Sequence, residues 1–67
     1  MPKISLKAAR VNTGLTQPEA AERLGITKET LINWELGRSE PKASQIDKII
    51  ALYGIPYEGL SFLSFKT

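Results

Sequence analysis

The strongest constraint on this 67-residue chain is the stretch Gln17 to Leu36, QPEAAERLGITKETLINWEL, where two short helical patterns are joined by a tight turn. Thr16 precedes the first pattern and Glu19 follows three residues later, the spacing of a capping box in which hydroxyl and carboxylate each satisfy a free backbone N–H. A helix therefore starts at Gln17. Ala20, Ala21 and Leu24 fall at helical spacing on one face, and Gly25 supplies the positive φ with which a helix ends in a sharp turn. Thr27 caps the next helix, with Ile26 before the cap and Leu31 four residues after it, the spacing of a hydrophobic staple. Leu31 and Trp34 then face inward. Lys28, Glu29, Ile32 and Asn33 are left on the opposite side, a polar-rich strip free to meet something else.

A chain of this length has room for one small domain, residues 1–67, with a core over about 5–62 and an apolar tail at 63–67. Hydrophobic residues make up 42% and charged residues 24%, which is ordinary for a globular domain and unlike a disordered chain. The sequence has neither cysteine nor histidine, so the usual zinc ligands and the usual general base are both missing. No cofactor, metal or catalysis is expected, because the remaining serines, lysines and carboxylates sit in no recognisable motif. No apolar run approaches a membrane span or a secretory signal, and a cytoplasmic location is expected. Net charge is +2, from nine basic and seven acidic residues, too slight to point to nucleic acid by itself. The placement of the charges has to carry that argument.

A first helix is expected after Ser5, a capping residue, through LKAARVNT to Gly14, with Leu6, Ala9 and Val11 available to the core. Beyond Leu36 the chain breaks at Gly37, and Arg38-Ser39-Glu40-Pro41 forms a polar turn. Ala43, Ile46, Ile49, Ile50 and Tyr53 recur at three- and four-residue spacing, an amphipathic fourth helix closed by Gly54. Ile55-Pro56 leads into a brief fifth helix, Tyr57 to about Ser61, weakened by Gly59.

From about Leu6 to Leu60 the sequence resembles the phage repressor and Cro-type helix-turn-helix family. The residues carrying the likeness are Gly14-Leu15-Thr16-Gln17, the small Ala21 where two helices touch, Gly25 in the turn, Ile26, Leu31 and Trp34 in the core, and Glu35-Leu36-Gly37 closing the third helix. Spacing, caps, turn and length all agree. The resemblance implies an all-α, compact, five-helix domain of lambda-repressor type. It also implies an ion pair between Arg10 in the first helix and Glu35 at the end of the third.

The implied function is sequence-specific binding of double-stranded DNA by a small phage or prophage-type repressor, with helix 28–36 in the major groove. The groove admits one α-helix, and the phosphates beside it favour positive charge and N–H donors. Helix N-termini at Thr16-Gln17 and Thr27-Lys28 offer such donors, and Arg38 and Lys42 flank the other end. By the resemblance, Gln17, Thr27, Arg38 and Lys42 are the phosphate contacts. Base readout falls to Lys28, Glu29, Thr30 and Asn33: lysine suits guanine, glutamate accepts from cytosine, and asparagine grips adenine. One helix covers few base pairs, so a palindromic operator and a weak homodimer are expected, with Leu60, Phe62, Leu63 and Phe65 as the interface. The alternative is an antitoxin-like protein-interaction module, favoured by the slight net charge and by Glu29.

Overall fold

The computed structural model describes residues 3–61. Four α-helices run as α1 (Leu6–Asn12), α2 (Gln17–Leu24), α3 (Lys28–Leu36) and α4 (Ala43–Tyr53). Two short strands, β1 (Ile4–Ser5) and β2 (Leu60–Ser61), pair in parallel with Ile4 opposite Leu60 and Ser5 opposite Ser61. This pairing brings the two ends of the described chain together. α2 packs on α3 and α4, and α1 packs on α3, α4 and β2.

Each helix begins and ends where local chemistry requires. Ser5, extended at ψ 160°, accepts from the Ala8 N–H at 3.0 Å and opens α1. Gly25 closes α2 at φ 73°: its own N–H donates to the Glu22 carbonyl, and the Ile26 N–H donates to that of Ala21. That paired arrangement satisfies carbonyls that the helix end leaves free. Gly37 closes α3 the same way, with the Arg38 N–H on the Asn33 carbonyl at 2.8 Å. α4 starts at Lys42, whose side chain cannot accept a hydrogen bond. Gln45 does the capping instead, its amide oxygen accepting from the Lys42 N–H at 2.7 Å.

The core gathers Leu6 and Ala9 from α1, Ala20, Ala21 and Leu24 from α2, Leu31 and Trp34 from α3, Ile49 and Tyr53 from α4, and Leu60 from β2. Leu31, Ile49 and Leu60 are the largest fully buried side chains. Ala20 and Ala21 are small at the face α2 turns to the core, which lets its backbone come close to its neighbours.

Three expectations need correction. Val11, expected in the core, is 55% exposed, because α1 is only seven residues long and its inward face is filled by Leu6, Ala9 and Arg10. Ala43 is exposed and does not join the α4 stripe. The fifth helix is a three-residue 3₁₀ turn, Tyr57–Gly59, after which Leu60 takes extended angles (φ −107°, ψ 138°) to pair with Ile4. Gly59 is buried at that turn, where a Cβ would sit 2.9 Å from Cγ1 of Ile55. Its role is close packing at the entry to β2.

Candidate nucleic-acid interface

α2 and α3 are joined by Gly25, Ile26 and Thr27 alone, a three-residue connection of the length that fixes two helices at a steep angle. Buried Leu31 and Trp34 hold α3 to the core by one face. Lys28 and Glu29 are exposed on the other side, and Thr30, Ile32 and Asn33 are half-buried. The side chains of Lys28, Glu29 and Asn33 make no hydrogen bond to another described residue. Thr30 differs: its hydroxyl lies 2.9 Å from that of Thr27, so it is engaged at the cap.

Both helix starts are formed by side chains. At α2 the Thr16 hydroxyl accepts from the Glu19 N–H at 3.3 Å and Glu19 accepts from the Thr16 N–H at 2.9 Å. The Thr16 backbone N–H, and then its hydroxyl, holds the Glu19 carboxyl below the usual carboxylate range. At α3 the Thr27 hydroxyl accepts from the Thr30 N–H at 3.1 Å. Caps of this kind occupy only some of the free N–H groups of a first turn, and the rest remain for an anion. Pro18 gives up one such donor in α2. Arg38 and Lys42 stand exposed between α3 and α4.

Behind this surface lies a polar cluster. Arg10 Nε donates to Glu35 Oε2 at 2.7 Å and Arg10 Nη1 donates to the Leu15 carbonyl at 2.9 Å. Gln17 Nε2 donates to Glu35 Oε1 at 3.0 Å. One carboxylate therefore ties α1, the start of α2 and the end of α3 together. The Gln17 side chain points to this cluster, so what it offers an anion is the backbone N–H at the start of α2. Sequence reasoning missed the Gln17 bond, since residues 18 apart with no periodic relation carry no signal of contact. The Gln45 cap was readable from its place three residues after Lys42.

Tyr53 completes the neighbourhood. Its hydroxyl is buried without a hydrogen-bond partner among the described residues. Burial pushes its pKa up to about 12, Glu35 adding to the rise and Arg10 opposing it.

Of the residues expected at an interface between copies, Leu60 is buried in the core at 2% exposure, so its side chain offers no surface there. Phe62, Leu63 and Phe65 lie outside the described residues. Among the described residues no group of His, Cys, Asp and Glu could hold a metal ion, and no helix is long and apolar enough to cross a membrane.

The helix-turn-helix family model matches residues 6–60. The cryptic phage CTXphi transcriptional repressor RstR of Vibrio cholerae is 33% identical over 51 residues, covering 76% of this chain and 46% of RstR. An HTH-type transcriptional regulator of Methanothermobacter thermautotrophicus is 39% identical over 49 residues, 73% of this chain and 71% of that protein. The HTH-type transcriptional regulator ImmR of Bacillus subtilis is 40% identical over 50 residues, 75% of this chain and 39% of ImmR. The matched part thus spans less than half the length of RstR and of ImmR. No solved structure matches the chain at a significant level.

Proposed function

Since the chain belongs to the phage repressor and Cro-type helix-turn-helix family, we propose that it regulates transcription as a repressor by binding a specific double-stranded DNA sequence, with α3 in the major groove. The observation that carries this reading is the outward face of α3, where the side chains of Lys28, Glu29 and Asn33 have no hydrogen-bond partner among the described residues while Leu31 and Trp34 anchor the helix. Lys28 and Asn33 read guanine and adenine edges, and Glu29 accepts from cytosine. Thr30 serves the Thr27 cap and contributes to readout at most through its methyl group. The N–H groups at the starts of α2 and α3, at Gln17 and Thr27, grip phosphates, as do the Arg38 and Lys42 side chains. A DNA target places the protein in the cytoplasm.

The operator is palindromic in this proposal, and two copies bind half-sites about 34–36 Å apart. The copies meet through Phe62, Leu63 and Phe65, with Leu60 anchoring the segment from inside the core. So few side chains make a small interface, and adjacent half-sites are needed to strengthen it.

The alternative of a protein-interaction module, favoured in the sequence by the slight net charge and Glu29, gains one structural observation, the 49% exposed Leu36 beside Ile32 on α3. Selection from a random DNA pool, followed by affinity measurements across a salt series, separates the two. A consensus bound with a steep loss of affinity as salt rises is the expected result. Absence of any consensus would sink the DNA reading and leave the protein partner.

A further inference from the structure

The face of α3 that turns from the core is not uniformly polar. Glu29, Ile32, Asn33 and Leu36 lie three, four and seven residues apart and so share one side of the helix, opposite Leu31 and Trp34. Ile32 is half-buried, but the partly buried aliphatic residues packed against the core are Ile4, Leu15, Ile26, Ile50, Leu52 and Ile55. Ile32 is absent from that set. Among the described residues, its methyl groups are thus not packed against the core cluster. Isoleucine is also stiff in a helix, since branching at Cβ leaves one strongly preferred χ1 rotamer, so these methyl groups form a fixed apolar ledge with Glu29 and Asn33 beside it and Leu36 one turn on.

The major groove presents one apolar feature to such a ledge, the C5-methyl group of thymine; the other groups along its base edges are donors and acceptors. We propose that Ile32 is a specificity-determining residue that reads a thymine methyl in the operator. The inference rests on the reading of α3 as the helix that enters the groove. Ile32 is one turn beyond Lys28, about 6 Å further along the helix axis, so the two residues address different base pairs. Its neighbour Asn33 has the chemistry for adenine, the base opposite thymine. The thymine read by Ile32 therefore lies at the pair read by Asn33 or one step from it. Leu36 shares the face but stands a full turn further from the helix start, where the phosphate-binding N–H groups anchor α3 to the duplex.

Deoxyuridine pairs as thymidine does and lacks only the methyl group, which gives a direct test. Each thymine of a selected operator is replaced in turn by deoxyuridine, and affinity is measured for the wild type, Ile32→Val and Ile32→Ala. At one thymine per half-site the wild type should lose about fourfold, the equivalent of one methyl group left unburied. Ile32→Val should keep most of that sensitivity. Ile32→Ala should bind the unmodified operator more weakly and lose nothing further at the same position. A C·G pair placed there should regain affinity on 5-methylation of the cytosine, for the wild type only. Thermal melting of the variants separates a folding defect from lost readout. A flat deoxyuridine scan, or one unchanged by Ile32→Ala, overturns the proposal while leaving DNA binding intact. Failure to select any operator would instead overturn the function on which it rests.

Discussion

Arg10 and Glu35 meet at 2.7 Å across 25 residues of sequence, with side chains only 9% and 4% exposed. Both charges are further satisfied, Arg10 by the Leu15 carbonyl and Glu35 by the Gln17 amide. Removing one partner strands the other away from water. Arg10→Ala and Glu35→Ala should each cost about 3–5 kcal/mol, and the double variant much less than their sum. A urea double-mutant cycle reads the coupling directly; additive losses would mean that the two groups act independently.

Readout and clamping should separate on α3 and the loop after it. Asn33→Ala should relax preference at one base pair by roughly 1–3 kcal/mol, while Arg38→Ala should weaken all sequences about equally and lower the salt slope by about one. Binding to a panel of single-pair operator variants over a salt series measures both. If both substitutions scale affinity equally on every sequence, α3 is not reading bases.

Tyr53 should behave as a phenol the fold keeps neutral. The folded pKa, about 12, is above the ordinary phenol value of 10.0. Its contribution is then fully present below pH about 10 and is lost as pH rises toward 12, because the unfolded chain ionises first. Tyr53→Phe also removes a buried hydroxyl with no partner among the described residues, so neutral-pH stability should hold or rise by up to about 1 kcal/mol. Urea unfolding of both proteins from pH 7 to 12 should show the wild type falling away from the variant above pH 10. Parallel curves would mean that Tyr53 ionises alike in the folded and unfolded chains.

The capping box at α2 should respond to acid in the opposite sense. Glu19 has its carboxyl held below the usual carboxylate range by Thr16, so the stability it adds is present above the unfolded pKa and lost as pH falls through the folded one. Glu19→Gln should flatten that part of the acid limb. Thr16→Ala should cost about 1 kcal/mol at neutral pH. Thermal melts from pH 2 to 7 check both, and an unchanged acid limb in Glu19→Gln would show that the carboxylate has no preference for its charged form there.

The interface between copies should depend on residues beyond the core. Leu60→Ala opens a cavity and should cost about 2–5 kcal/mol of folding stability, whereas Phe65→Ser should leave the fold intact and weaken cooperative binding to two half-sites. Sedimentation and titration onto a two-half-site duplex distinguish them. Cooperativity unchanged in Phe65→Ser and in Phe62→Ala would remove that segment from the interface.

What the sequence revealed was local. Thr16 with Glu19, Gly25, Thr27 and Gly37 mark helix ends through interactions spanning three to five residues, and each mark coincides with a cap in the structure. Helical periodicity likewise placed Leu31, Trp34, Ile49 and Tyr53 in the core. Long-range relations left no such trace. Nothing near Gln17 announces Glu35, and nothing in Tyr57 to Ser61 announces a partner strand at Ile4, since a two-residue pairing is too short to show alternation. Val11 misled because a seven-residue helix turns only two or three side chains inward. The readout roles proposed for Lys28, Glu29 and Asn33 rest on residue chemistry and family likeness together.

The parallel pairing of β1 and β2 has a mechanical consequence. Parallel strands leave the pairing in opposite directions, so whatever precedes Ile4 and whatever follows Ser61 depart from opposite ends of the ladder. A force applied through those two points slides one strand along the other and loads its hydrogen bonds together, where a peeling force would break them one at a time. Tension between the domain and any attached partner is thus met first by this short clasp and by Leu60 seated in the core, before it reaches α3.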